Sequence, residues 1–267
     1  MRSLTIVVLG AGEMASGIAH RLFSSRFTRI LMSEMRSPLT VRRLVAFSEA
    51  VHAGAMEVEG VRAELADSPG AVQAIWDRQA IAVLVDEEGA FLKTVEPDVL
   101  IDATMIKRPK GSVRERVPKA GLVIGVGPGF KAPDDVDAII ESNRGHHLGR
   151  VIYAGEAEAF TRIPGDIMGK TEERVLRAPH PGMVSQVKAI GDMVKKDDVV
   201  LYVDRTPVRA AIDGVVRGLI RPIVVEHNEK VGDVDPSRDV SHCATISDKA
   251  RSIAGGVLET IMHRFNV

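Results

Sequence analysis

Thr5-Ile6-Val7-Val8-Leu9-Gly10-Ala11-Gly12-Glu13-Met14-Ala15-Ser16-Gly17 is the stretch whose reading decides the fold. The apolar run Thr5 to Leu9 stops at a glycine turn, Met14 to Ser24 follows with helical periodicity, and Arg29 to Ser33 is again β-rich. Strand, turn, helix and strand make a βαβ unit. The turn has the form Gly10-x-Gly12-x-x-Ala15, with Gly17 two positions further on. Gly10 permits a tight turn, Gly12 lets backbone approach a pyrophosphate, and Ala15 is small enough for helix and strand to pack closely. The helix start adds free N–H groups and the positive end of a dipole. Glu34 closes the second strand about 20 residues on, where an acid accepts hydrogen bonds from a ribose hydroxyl. A glycine turn kept only for helix–strand packing has the same spacing, so both readings stand. Arg36 either caps a ribose 2′-phosphate or lies solvated, which leaves NAD and NADP equally open. Gly10, Gly12, Glu13, Ala15, Gly17, Glu34 and Arg36 are the cofactor-binding candidates of this stretch.

Working outward, Ile81 to Val85, Val99 to Ala103 and Leu122 to Val126 are short apolar runs suited to a buried parallel sheet, with helices expected over Val41 to Val51 and Ala71 to Gln79. Ligands of such sheets sit beyond the carboxyl ends of the strands. Two loops there join the candidates. Asp102 is followed by Lys107 and Arg108, an acid and two cations that either meet a phosphate or carboxylate or form a solvated loop. Gly127-Pro128-Gly129 either allows close backbone approach to a ligand or is a plain turn. The polar loop Asn143-Arg144-Gly145-His146-His147 leads to a strand at Val151 to Tyr153; it lacks metal-ligand spacing, and no metal is expected.

Composition narrows the function classes. With 35 Lys plus Arg against 36 Asp plus Glu among 267 residues, the chain has no general attraction for nucleic acid or anionic lipid. Aromatic residues make up 4%, too few for a base-stacking platform. One cysteine, Cys243, excludes an internal disulfide and fits a reducing, cytoplasmic setting. The amino-terminal apolar run is too short for a membrane span and lacks a cleavage-type ending. A homo-oligomer is compatible with this composition.

The second half repeats itself. Gly182-Met183-Val184 followed by Gly191-Asp192-Met193-Val194 answers to Gly214-Val215-Val216 followed by Gly232-Asp233-Val234. Two short β units that cannot bury an apolar face alone are expected to share one core, with an extra loop or hairpin around Ile220 to Asn228. Together with Ala211-Ile212-Asp213-Gly214, these arms resemble the hammerhead domains that carry biotin or lipoate. The resemblance places the modified lysine on the hairpin Val203-Asp204-Arg205-Thr206-Pro207-Val208-Arg209, which has none; Lys195, Lys196 and Lys230 lie in other turns. No covalent biotin or lipoate is expected.

The fold class expected is therefore α/β: a Rossmann-like parallel-sheet domain (residues 1–165), a β-rich barrel-sandwich or hammerhead domain (166–240) and a helical tail (241–267) that could return to the first domain.

From Gly10-Ala-Gly-Glu-Met-Ala-Ser-Gly17, through Gly125-Val-Gly-Pro-Gly-Phe130, Glu141-Ser-Asn-Arg-Gly-His146 and Lys230-Val-Gly-Asp-Val-Asp-Pro236, to Ile246-Ser-Asp-Lys-Ala-Arg-Ser-Ile-Ala-Gly-Gly256, the chain also resembles the YqeB-type accessory proteins of the selenium-dependent molybdenum hydroxylase system. The resemblance departs from the family pattern at Glu13-Met14, where an aspartate followed by leucine is usual. It implies accessory work on a molybdenum hydroxylase or its cofactor and no defined reaction; joined to the glycine turn, it gives a maturation protein that binds NAD(P) or a molybdopterin dinucleotide in the Rossmann half and docks a hydroxylase or its maturation factors through the barrel. Two other readings stand beside it: an NAD(P)-dependent oxidoreductase with Lys107 as proton donor, and a non-enzymatic scaffold with a vestigial nucleotide site. Cys243, beside His242 and ahead of a final helix over Asp248 to Arg264, is the other catalytic candidate, as a persulfide or selenium acceptor, or else a small buried junction residue.

Overall fold

A computed structural model describes residues 3–87, 90–93, 95–105, 113, 120–161 and 163–265. The chain divides into two compact units. The first takes in the residues up to Pro38, Ala46–Phe160 and everything from Ile246 on; the second comprises Leu39–Val45 and Thr161–Thr245.

In the first unit the opening stretch forms β1 (Thr5–Leu9) and the helix Glu13–Ser24. Ala15, Ile18, Ala19 and Leu22 fall on one helical face and are buried, which is why this segment coils rather than extends. Arg26, at φ 72°, ends it, and Phe27 N–H closes back on Leu22 O at 3.1 Å. Further strands are β2 (Arg29–Glu34), β3 (Ala55–Val58), β4 (Val61–Ala66), β5 (Ile81–Val85), β6 (Val99–Asp102), β7 (Leu122–Val126), β8 (Lys131–Ala132), β9 (Ala138–Ile140), β10 (Val151–Ile152) and β11 (Gly155–Glu156). Nine of them make one sheet in the order β10-β9-β7-β6-β1-β2-β5-β4-β3, and β8 pairs with β11 separately. Period-2 alternation splits the sheet's residues between two faces. Val7, Leu31, Leu84, Leu100, Val123 and Ile139 pack with Trp76, Phe91 and Phe130 on one. Ile6, Val8, Ile30, Met32, Ile124 and Ile140 alternate with them and are equally buried. The last helix, Asp248–Phe265, packs beside the first, with its Gly256 against Gly149 and Ile140.

In the second unit the strands are β12 (Val175–Arg177), β13 (Gly182–Gln186), β14 (Met193–Val194), β15 (Val199–Val203), β16 (Thr206–Arg209), β17 (Gly214–Leu219), β18 (Val224–Val225) and β19 (Lys230–Asp235). They form two four-stranded antiparallel sheets, β12-β19-β17-β14 and β16-β15-β13-β18. The repeat arms exchange strands: β14 of the first arm pairs with β17 of the second, and β18 of the second pairs with β13 of the first. Val184, Val194, Val203, Val216, Val225 and Val234 from both arms share one core.

The fold class expected from the sequence is corrected. In place of a Rossmann-like parallel sheet and a hammerhead barrel, the first unit holds a mixed sheet whose edge strands β3 and β10 run antiparallel to their neighbours, and the second holds two separate antiparallel sheets. The β3–β4 hairpin went unread because Glu57, Arg62 and Glu64 make its run look polar. Its turn has Glu59 at φ 44° and Gly60 at φ 79°, the two positive values of a tight primed hairpin. The helix expected over Val41 to Val51 is also corrected: Ala46 is extended, at φ −131° and ψ 122°, and separates the turns Arg43–Val45 and Phe47–Glu49 ahead of a short helix, Ala50–Ala53.

Candidate functional site

Strand register gathers the candidate loops of the first unit. Leu9 lies opposite Ser33 and Asp102, Asp102 opposite Gly125, and Val126 opposite Ile140, all in parallel pairs. The loops after β1, β2, β6, β7 and β9 therefore leave the sheet at one edge, its carboxyl edge.

At the centre of that edge is the glycine turn. Gly10 takes φ 91°, a left-handed value that L side chains rarely adopt, and a Cβ there would stand 3.3 Å from Ala103 O. Its N–H donates to Ser33 O at 2.8 Å. Gly12 caps the first helix from an extended conformation and, as glycine, brings no side chain of its own to the first turn. Gly12, Glu13 and Met14 are half-buried, whereas Ala11 is fully buried. Glu34 reaches back to this turn: Oε2 accepts Ala11 N–H and Oε1 accepts Met35 N–H, each at 2.8 Å. Burial pushes the Glu34 carboxyl above its ordinary range, and the two N–H donors only partly offset that. On the turn's other side, Ser48 N–H donates to Ala11 O at 2.9 Å, and Ser16 Oγ links Ala11 O to Phe47 N–H.

Around this turn, buried Asp102 accepts both the N–H and the hydroxyl of Thr104, at 3.1 and 2.7 Å. Gly127 (φ 76°) donates to Ile140 O, and a Cβ on it would strike Ser142 Oγ at 2.5 Å; Gly129 is also left-handed, at φ 102°. Glu141, buried at the end of β9, accepts the N–H groups of Asn143 and Glu158. Arg144 forks onto Asp248 at 2.5 and 2.9 Å. The Asp248 hydrogen bond, with Glu13 adding a further negative charge, pushes the Arg144 pKa up.

Gly10, Gly12, Glu13, Glu34, Asp102, Gly127 and Gly129 thus belong to one edge. Others of the candidates stand apart. Ala15 is buried in the packing face of the helix. Gly17 faces the last helix, where a Cβ would come within 2.8 Å of Ala250 Cβ. Arg36 is exposed, with its N–H donated to Glu87. Lys107 and Arg108 lie outside the described residues. Cys243 belongs to the second unit, where it is 3% exposed and its Sγ meets Val216 O at 3.7 Å. Burial pushes its thiol up, the opposite of what acceptor chemistry requires. Beside it runs a buried ionic network in which Asp233 pairs with Arg174 at 2.5 Å and Asp235 approaches Arg217 and His242.

Sequence reasoning missed the Phe47-Ser48 segment, Ser16, Ser142 and the Arg144–Asp248 pair. Asn143-Arg144-Gly145 did stand out as a polar loop, but nothing local pairs it with a residue more than a hundred positions away. Among the described residues no group of three His, Cys, Asp or Glu is placed to hold a metal ion, and no helix is long and apolar enough to cross a membrane.

Over 258 residues, 96% of its length, the chain is 42% identical to the uncharacterized protein YqeB of Escherichia coli (strain K12). This chain is similar to YqeB along nearly all of its own length. It spans 47% of YqeB, about half the length of that curated relative. No protein-family model matches the sequence. Among solved structures, the product-bound ectoine utilization protein EutE (DoeB) of Ruegeria pomeroyi aligns at 12% identity and a TM-score of 0.24, covering 88% of this chain and 58% of that one. An aspartoacylase family protein of Mesorhizobium loti aligns at 14% identity and a TM-score of 0.26, covering 87% and 85%. These overlaps are too loose to lend this chain an activity.

Proposed function

We propose that the first unit binds a nucleotide- or dinucleotide-type anion, NAD(P) or a molybdopterin dinucleotide, at the carboxyl edge of its large sheet. The observation that carries this reading is the helix start at Gly12. It follows a left-handed Gly10, has a glycine at the cap position, and is half-buried rather than sealed. The N–H groups and positive dipole end at the head of a 12-residue helix suit a phosphate. The Glu34 carboxylate, already engaged with Ala11 and Met35, keeps lone pairs for a ribose hydroxyl. Likeness to YqeB supports an accessory role, and we assign that role to the maturation of a molybdenum hydroxylase, with the hydroxylase or its maturation factors as partners.

Calorimetry of the purified chain against NAD(H), NADP(H), cytidine and guanosine nucleotides and a molybdopterin dinucleotide tests the reading. Saturable binding of one class, abolished by Gly12→Val, is the expected result; no heat from any of them overturns it.

A further inference from the structure

We infer that the first unit carries a second anion site, separate from the glycine turn and independent of the function proposed above, built to hold a single phosphate group. A cavity of about 180 Å³ opens beside the far end of the first helix, lined by Gly17, His20, Arg21, Ser24, Ser25, Ile246 and Arg251. Two guanidinium groups, an imidazole and two hydroxyls are all able to donate to an oxyanion, and no carboxylate is among the lining residues.

The cations differ in how they are held. Arg251 is held through one nitrogen, Nη2, which donates to both carboxylate oxygens of Glu59 at 2.8 and 2.7 Å, and Glu59 is itself held by Ile246 N–H at 2.7 Å. His20 Nε2 lies 3.3 Å from Glu59 O. Arg21 is half-buried at the cavity, and its side chain makes no hydrogen bond or ion pair among the described residues. One guanidinium is thus oriented in advance, and another has its charge uncompensated. A helix end would ordinarily repel an anion through its last carbonyls. Here those of Arg21, Leu22 and Phe23 accept N–H bonds from Ser25, Phe27 and Arg26, which mutes that repulsion. Gly17 adds no side chain to the lining, a use of this residue outside any nucleotide fingerprint.

Size selects the ligand. Sites for drug-sized molecules occupy about 300–1,000 Å³, so this cavity suits one phosphate group rather than a dinucleotide. The group could arrive as free phosphate or as a small phosphomonoester.

Calorimetry of the full chain with inorganic phosphate in chloride buffer, repeated with glycerol phosphate, provides the test. Saturable phosphate binding should persist in Gly12→Val and weaken about tenfold in Arg21→Gln, the loss expected for one charge-assisted contact. Because Arg21 supports no other group, Arg21→Gln should melt as the parent does without phosphate, and Ser24→Ala gives a second, milder loss. Tighter binding of glycerol phosphate would mark the ester as the ligand and tighter inorganic phosphate the free ion; both support the site. Absence of binding, loss of binding in Gly12→Val, or indifference to Arg21→Gln would overturn it.

Discussion

Glu34 Oε2 accepts the N–H of Ala11 at 2.8 Å, tying the end of the second strand to the glycine turn across 23 positions of sequence. Ala11 is fully buried, so removing the acceptor strands its N–H without water. Glu34→Ala should cost about 1–3 kcal/mol in urea unfolding, and Glu34→Gln, which keeps one acceptor oxygen, should fall between it and the parent. Equal midpoints for all three proteins would show that the bond carries no stability.

Gly127 sets a steric limit at the same edge. Alanine there must adopt φ 76° and would meet Ser142 Oγ at 2.5 Å. The strained backbone and the overpacking together should cost about 2–4 kcal/mol. Adding Ser142→Gly should recover the steric part and leave the conformational part, a distinction that denaturant titration of the single and double variants reads directly.

Gly17 separates ligand binding from packing. Its position against Ala250 predicts that Gly17→Ala destabilises, because overpacking of about 1–3 kcal/mol outweighs the roughly 1 kcal/mol of helix propensity gained. Ala250→Gly should restore the melting temperature, and nucleotide affinity at the glycine turn should not change. Reduced affinity at unchanged stability would return Gly17 to the ligand.

Glu59 gives a pH signature. Burial opposes its ionised form, but Ile246 N–H and Arg251 outweigh that and hold the carboxyl below its ordinary value of 4.5. A folded pKa below the unfolded one contributes stability above 4.5 that is lost as pH falls through the lowered value. Glu59→Gln should therefore lower stability at neutral pH and flatten the acid limb of the unfolding profile. Parallel acid limbs would remove Glu59 from the account.

Cys243 should resist chemistry. Its burial and raised pKa predict slow alkylation by iodoacetamide in the native protein at neutral pH and rapid alkylation in urea. Native labelling at the rate of a free thiol would reopen the acceptor reading.

Several elements were legible in the sequence because their signals are local. The run Thr5–Leu9, the glycine turn, the first helix and the last all carry their own periodicity, and the strands expected at Ile81–Val85 and Leu122–Val126 form with those bounds. The paired arms of the second unit announced a shared core by repetition. The hairpin at Glu59-Gly60 was hidden by charged residues, and the break at Ala46 falls inside an apolar stretch that mimics a helix.

By itself, then, the sequence determined where the chain turns, which segments coil or extend, and that Gly10 and Gly12 head a helix. Only the tertiary structure decided the mixed character of the large sheet, the exchange of strands between the two arms, and the placing of Gly17 against Ala250. The physical reason is range. Backbone conformation and amphipathic period are set by near neighbours, whereas sheet order and the pairs Glu34–Ala11 and Arg144–Asp248 depend on which surfaces meet once each unit has closed around its core.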